Sequence, residues 1–361
     1  MLLSVAIRLA YTIRIAIWHG AIITGRAPCN RGQIGGMIIA RTPLRISIGG
    51  GGSDLPSYYE RYGSFFISAA INKHIYVGIN KMFTNEYNIR YSSQERVTDP
   101  AQIVHPIVRE AIKLHAVEPI ELVSLADIPA GTGLGSSGSF TVGLLRAIYA
   151  YKRELVTTSS LAEQACHIEM NLLGEPVGKQ DQYIAAFGGI TCFEIDKDGQ
   201  VQVSPLAISN SCVHDLEDHM MLFFTGYSRT ASLLLAEQKS KSQSMDRSTI
   251  DSIHYTVELG REIKKVLIAG ECPIFADLMH RHWLRKRTRS SGMTNDSINR
   301  WYDAAMANGA LGGKLVGAGG GGFLLFYAKD PKGVRDAMAR EGLREVRFKF
   351  DFDGSMVLIR E

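Results

Sequence analysis

From Met37 onward, short apolar or alternating runs trade places with longer segments in which apolar side chains recur every three or four positions. The first pattern marks strands and the second amphipathic helices. Extended chain is expected at 38–41 and 46–48, with a hairpin pairing 64–71 with 74–79 across Asn72 and Lys73. Helical spacing predicts helices over 55–62, 107–114, 136–151 and 161–173, and the run before residue 126 reads as a strand. The second half repeats the mixture. A strand is expected over 219–224, helices over 231–238, 250–268, 273–285 and 298–308, and strands around Leu315 and over 323–327. A helix over 332–340 and strands over 346–350 and 356–359 close the chain.

Segregated hairpins and helices argue for an α+β fold rather than regular βαβ winding. The polar segment 209–218 divides the chain into 37–210 and 211–361. Residues 1–36 do not resemble the rest of the chain. Their apolar run is broken by Arg8 and Arg14, too early for a membrane-spanning helix, and no small-residue cleavage site is clear. They are expected to lie outside the fold, either as a weak amphipathic segment or as translated upstream sequence.

Composition narrows the classes. With 361 residues, 45% hydrophobic and 21% charged, the chain is long enough for two fused lobes. The net charge of +4, without a basic block interleaved with aromatics, does not suggest nucleic acid. Cys29, Cys166, Cys192, Cys212 and Cys272 form no C-x-x-C pair, and their odd number suits a reducing cytoplasm better than a disulfide framework. His280 and His282 lack cysteine or carboxylate partners at ligand spacing and are expected on a helix surface, not around zinc.

The chemistry concentrates between the strand ending near Ala126 and the helix over 136–151. Gly131, Gly133, Gly135 and Gly138 let main-chain amides approach an anion, and Ser136 and Ser137 open the helix, whose free N–H groups and positive dipole end favour a di- or triphosphate. Two other glycine motifs fit less well. The P-loop pattern is absent, because Gly313-Lys314 is followed by Leu315 and Gly178-Lys179 by Gln180. Gly133, Gly135 and Gly138 satisfy G-x-G-x-x-G, as do Gly317, Gly319 and Gly322, but neither set has the strand–turn–helix context of a dinucleotide site.

The segment Pro129 to Ser137 (PAGTGLGSS) resembles the ATP-binding signature of the GHMP kinases, the family of galactokinase, homoserine kinase, mevalonate kinase and phosphomevalonate kinase. Arg41 to Asp54 (RTPLRISIGGGGSD) is similar to the first motif of its sugar-kinase members and Gly312 to Phe323 (GGKLVGAGGGGF) to its third, in the same order. The resemblance implies a two-lobed GHMP kinase fold, with an N-terminal lobe like domain 2 of ribosomal protein S5, a ferredoxin-like C-terminal lobe, and the active site between them. Within the family, Trp283, Lys286, Arg287, Asn295, the run Gly309 to Lys314 and Thr225 to Arg229 look most like the D-glycero-D-manno-heptose 7-phosphate kinases. That implies phosphorylation of the anomeric hydroxyl of the heptose 7-phosphate. Fucokinase or galactokinase chemistry is the alternative; an NAD-dependent dehydrogenase and a silent sugar-binding module are the rivals outside the family.

The resemblance also distributes roles. Pro129, Gly131, Gly133, Leu134, Gly135, Ser136 and Ser137 would cradle ATP, with Ser137 and Glu169 as ligands of Mg2+, which takes oxygen donors. Asp181 would be the base, and Arg45, or else Arg41, its cationic companion. Ser53 and Asp54 would meet sugar hydroxyls, although Asp54 also stands where it can cap the helix over 55–62. Glycines stand before Asp54 where galactokinase has Glu-His, a departure that speaks against galactose itself. Gly319, Gly320, Gly321 and Gly322 would support the phosphate loop. Lys179, Arg229, Lys286 and Arg287 are the candidate cations for a substrate phosphate, with Lys179 and above all Arg229 preferred. The expected partners are a sugar phosphate and ATP, with neither nucleic acid nor membrane, and the protein is expected to be a monomer or homodimer.

Overall fold

A computed structural model describes residues 36–226, 247–287, 294–317 and 319–361. The extension 1–35, the helix expected over 231–238 and Arg229 lie outside the described residues.

Two sheets organise the described residues. The first is built on β1 (Ile38–Gly49), an almost wholly buried strand lying between β12 (Met356–Arg360) and β2 (Ser64–Lys81), antiparallel to both. The expected hairpin does not form. Residues 64–81 make one 18-residue strand, because β1 is long enough to pair with both halves. Asn72 and Lys73 are absorbed as a bulge where the register steps from Pro43↔His74 to Leu44↔Ile71. The bulged backbone is used elsewhere: Asn72 N–H donates to Lys349 O and Asn72 Oδ1 accepts from Lys349 N–H. Beyond the bulge β2 changes partner, from β6 (Ile190–Ile195) along 64–69 to β5 (Ile120–Ala126) along 75–81. Strands β3 (Tyr87–Arg90), β4 (Gln94–Val97) and β7 (Val201–Pro205) complete the sheet.

Against this sheet lies α3 (Ser136–Lys152), with α2 (Pro106–His115), α4 (Thr158–Cys166) and α5 (Gln180–Phe187) packed around it. α3 is buried on nearly every side. It lies close to β1, where a Cβ on Gly143 would meet Thr42 Oγ1 at 2.8 Å. The helix expected over 161–173 begins as α4 and ends in a π-helical turn, His167–Leu172. The short α1 (Pro56–Tyr62) bears out the helix expected after the first glycine run.

The second sheet runs β11 (Arg344–Glu345), β8 (Met220–Phe224), β10 (Phe323–Ala328), β9 (Ala310–Val316), all antiparallel. In chain order this is β8, helices, β9, β10, helix, β11, with the last strand beside the first: the ferredoxin-like arrangement. The helices are α7 (Arg247–Ile268), α8 (Cys272–Arg287), α9 (Asp296–Ala307) and α10 (Pro331–Arg340). Trp283, Tyr302, Phe326, Met338 and their neighbours form a closed core around it.

The polar stretch 209–218 forms α6 (Asn210–His219), capped by Ser209 Oγ, which accepts from Cys212 N–H, and anchored by buried Cys212 and Leu216. The strand expected over 346–350 does not form: β11 ends at Glu345, and the residues after it cross between sheets. Val346 N–H donates to Leu222 O, and Phe350 bridges Ile71 of β2. The chain end then returns to the first sheet as β12, fastened by His74 Nε2 to Asp351 Oδ2 at 2.7 Å and by Arg41 to Asp353 at 2.8 Å. Cys166, Cys192, Cys212 and Cys272 are buried free thiols.

Candidate active site

Gly131, Gly133 and Gly135 all take φ values near +80°, which only glycine adopts without strain, and they turn the chain from β5 into α3. Thr132 Oγ1 tightens this turn by donating to Pro129 O, and buried Leu134 pins it to the core. The first turn of α3 is closed by Ser139 N–H on Gly135 O, so the amides of Ser136, Ser137 and Gly138 precede it, as at any helix start. Pro129, Gly131 and Ser137 are exposed, and Ser136 Oγ is a buried atom without a partner. This is a donor-rich turn at the positive end of a 17-residue helix, suited to phosphate oxygens.

The third glycine motif supports the turn by backbone contact. A Cβ on Gly317 would lie 2.7 Å from Gly133 Cα, and one on Gly322 would overlap Thr132 O. Gly322 O also accepts from both the amide and the hydroxyl of Thr225, tying the loop to the end of β8. Gly319, Gly320 and Gly321 all have positive φ between these contacts. Gly317, outside the supporting set expected from the motif, makes the closer approach to Gly133. Its carbonyl accepts from Lys286 Nζ at 2.8 Å, so Lys286 braces this loop.

Arg45 joins the parts. Its amide donates to Leu134 O, its Nη1 to Gly133 O at 2.6 Å and its Nε to Asp181 Oδ1 at 2.7 Å. Arg41, the alternative, is engaged instead with Asp353 and Asp351. Asp181 stands in the first turn of α5, which meets the first turn of α3 so closely that a Cβ on Gly138 would lie 2.7 Å from Asp181 Cβ. A Cβ on Gly135 would likewise crowd both Arg45 and the Asp181 carboxyl carbon. The two helix starts and the arginine therefore fix one carboxylate beside the phosphate turn, with its side chain 31% exposed and open to a ligand. A carboxylate so placed can orient a hydroxyl and take its proton, while Arg45 offsets developing negative charge.

Ser137 and Glu169 also converge. Ser137 Oγ donates to Glu169 Oε2 at 2.5 Å, and Gln182 Nε2 to Glu169 Oε1 at 3.0 Å. Glu169 comes from the π-helical turn, an irregularity frequent at functional sites. Burial pushes its carboxyl above the usual range, against the pull of the Ser137 and Gln182 hydrogen bonds. Among the described residues no cluster of three or more His, Cys, Asp or Glu side chains forms a metal cage. A hydroxyl and one buried carboxylate still fit a magnesium ion that takes its remaining ligands from nucleotide and water.

Asp54 lies near the same helix start. Its Oδ2 accepts from Gln180 N–H at 3.0 Å, a contact only glycine at 178 allows, since a Cβ there would overlap that oxygen. It does not cap its own following helix: the cap residue of α1 is Leu55, without a side-chain bond. Burial raises the Asp54 carboxyl pKa, partly opposed by the Gln180 hydrogen bond.

Two further described candidates, Ser53 and Lys179, lie buried in the fold. Ser53 is fully buried, with its hydroxyl bound to Gly50 O and Ser64 Oγ, where it braces the glycine turn. Lys179 is buried and tied to Glu163 and Gly199 O. The reason is the same for both: nearby acceptors satisfy these side chains inside the fold. Gly49 and Gly50 are also partly consumed by packing, against Gly260 of α7 and against Phe65 O. Arg287 lies 3.8 Å from Asp303. His280, expected on a helix surface, is half-buried and bonded to Tyr302.

Family models for the GHMP kinases N terminal domain and the GHMP kinases C terminal domain match residues 102–189 and 263–344. A D-glycero-alpha-D-manno-heptose 7-phosphate kinase of Campylobacter jejuni is 30% identical over 309 residues, covering 82% of this chain and 90% of that protein. The crystal structure of a putative sugar kinase from Campylobacter jejuni superposes with a TM-score of 0.71 at 26% identity, over 90% of this chain and 98% of that one. A D-glycero-D-manno-heptose 1-phosphate kinase from Bacteriodes thetaiotaomicron shares the fold, with a TM-score of 0.73 at 24% identity over 89% and 99% of the two chains. With family models matched in both halves of the chain and a heptose 7-phosphate kinase 30% identical over most of its length, the chain belongs to the GHMP kinase family and is an ATP-dependent kinase.

Proposed function

We propose that the chain transfers the γ-phosphate of ATP to the anomeric hydroxyl of D-glycero-D-manno-heptose 7-phosphate, giving the 1,7-bisphosphate. The single observation that carries this assignment is the Asp181 carboxylate, held by Arg45 at the mouth of the phosphate turn. The Campylobacter relative supports the choice of sugar, since it aligns over most of both chains. No helix among the described residues is long and apolar enough to cross a membrane. The reaction would take place in the cytoplasm, a compartment in which buried free thiols such as Cys166 and Cys192 stay reduced.

The triphosphate would rest on the amides preceding Ser139, with Gly317 and Gly322 holding the turn from the second sheet. Ser137 and Glu169 would hold Mg2+, which when bound would neutralise charge on the transferred phosphoryl group. Asp181 would orient the anomeric hydroxyl and receive its proton. Arg45 would keep that carboxylate in place, and Asp54 would accept from a sugar hydroxyl beside it. The halves 37–210 and 211–361 would supply the phosphate turn and its support respectively.

The test is turnover with an acceptor panel of heptose 7-phosphate, unphosphorylated heptose, fucose and galactose, on the wild type and on Asp181→Asn. The expected outcome is turnover with heptose 7-phosphate, lost by about 10²–10⁴-fold in the variant while ATP affinity is retained. Turnover confined to an unphosphorylated sugar would replace the acceptor; surviving turnover in Asp181→Asn would remove the base.

A further inference from the structure

Lys314 is a buried charge that the proposed chemistry leaves unused. It lies on β9 with 5% of its surface exposed, and its Nζ donates to Ile48 O at 3.1 Å, at the head of the Gly49–Gly52 turn. That single acceptor leaves the ammonium's other N–H donors without a partner among the described residues, and no carboxylate among them pairs with it. An unpaired buried ammonium is costly. Its charged surroundings make the cost larger. Arg45 faces it from β1 and is committed to Asp181 and Gly133 O; Lys286 faces it from α8 and is committed to Gly317 O. Its register neighbour on β10 is Leu325, which brings no charge. Lys286 and Arg45 are thus near enough to disfavour a further positive charge on Lys314, and Asp181 is bonded to Arg45 rather than to Lys314. Burial first, then Lys286 and Arg45, push the Lys314 ammonium down to about 7.

We propose that Lys314 balances charge in the site: this buried side chain, held by a single carbonyl and paired with no carboxylate among the described residues, takes up a proton when a phosphate-bearing ligand settles on the Gly131–Gly135 turn. Ligand binding is then coupled to uptake of a proton, and the residue acts as a positioning cation for that phosphate through the Ile48–Gly52 turn. The proton comes from solvent and no bond to the ligand forms. This inference rests on the kinase assignment above, and the phosphate can belong to the nucleotide or to the acceptor sugar.

Titration calorimetry at pH 8, in Tris and in HEPES, reads the coupling directly, because proton uptake makes the observed heat depend on the buffer's ionisation enthalpy. ATP with Mg2+ forms one arm and heptose 7-phosphate the other. A lysine at about 7 is roughly nine-tenths neutral at pH 8, so uptake should approach about 0.9 proton per site for the ligand that reaches it. That ligand's affinity should weaken about fivefold between pH 7 and pH 8, as the protonated fraction falls. In Lys314→Met, checked for folding by its melting temperature, both the uptake and that part of the pH dependence should vanish. Lys314→Arg, charged at every pH used, should bind without uptake. Binding heats independent of buffer in the wild type, or the same uptake in Lys314→Met, would overturn the inference alone. Absence of binding in both arms would overturn the kinase assignment and this inference with it.

Discussion

Replacing Gly138 by alanine should disable the enzyme far more than it unfolds it. Gly138 has ordinary helical geometry, so alanine meets no backbone strain and gains about 0.8–1 kcal/mol in helix propensity. The obstacle is across the gap. The new Cβ would lie 2.7 Å from Asp181 Cβ, 3.0 Å from its carbonyl carbon and 3.0 Å from Gln182 N. Two of these atoms are backbone at the start of α5, so no rotamer change relieves the clash, and the helix start must retreat by roughly 0.7 Å to regain close-packed contact. Overpacking of this kind costs about 1–3 kcal/mol, leaving a net loss of about 0–2 kcal/mol and a melting temperature lower by a few degrees. The retreat carries Asp181 with it, and a displacement approaching 1 Å costs on the order of 10²-fold in rate. A coupled ADP-release assay should show kcat down by about that factor, with ATP affinity from calorimetry changed by no more than about threefold, because the amides of α3 are untouched. A folded Gly138→Ala enzyme with near wild-type kcat would refute the idea that the meeting of the two helix starts places the carboxylate.

The site carboxylates should trade stability for function. Asp54 and Glu169 both have pKa values raised by burial, so their folded forms hold protons more tightly than the unfolded chain. The resulting stability is complete below the unfolded carboxylate pKa and is lost as pH rises through the folded value. At pH 7–8 without ligand, Asp54→Asn and Glu169→Gln should therefore melt at higher temperature than the wild type, with the difference shrinking towards pH 4; an unchanged or lower melting temperature at pH 8 would count against this. Asp351 has the opposite sign. The His74 contact and the Gly354 and Asp353 amides outweigh burial and hold its carboxyl below the usual range. Its contribution is present above the unfolded carboxylate pKa and disappears as pH falls through the folded value. Asp351→Asn should lower the melting temperature at pH 7, by about 1.5–3 kcal/mol in stability for a lost hydrogen bond to a charged group, and the deficit should narrow in acid.

Much of the fold was legible because it is written in local periodicity. The apolar spacing of 136–151 and 250–268 located α3 and α7 closely, and the order of elements after residue 219 matched the second sheet apart from its last strand. The glycine turn before α3 was legible too, since glycines at 131, 133 and 135 announce a backbone that other residues resist. What was not legible shares a cause. Asn72-Lys73 carries a turn signal, but whether it becomes a hairpin or a bulge depends on the length of β1, which lies elsewhere in the chain. Lys179 and Ser53 have the right chemistry for a substrate, but Glu163, Gly199, Gly50 and Ser64 reach them first. Lys314 stands out in the sequence only as a failed P-loop match, because nothing next to it reveals that Ile48, Arg45 and Lys286 surround it.

By itself, then, the amino-acid order determined where helices start, where the backbone takes left-handed turns and which glycine segments can approach phosphate, because these depend on stereochemistry within about one turn of chain. The tertiary structure decided that Arg45 meets Asp181 across 136 residues, that Ser137 meets Glu169 across 32, and that some polar side chains are spent inside the fold while others face the opening. Burial and partnership are properties of packing between distant segments, and a side chain's charge and availability follow from them.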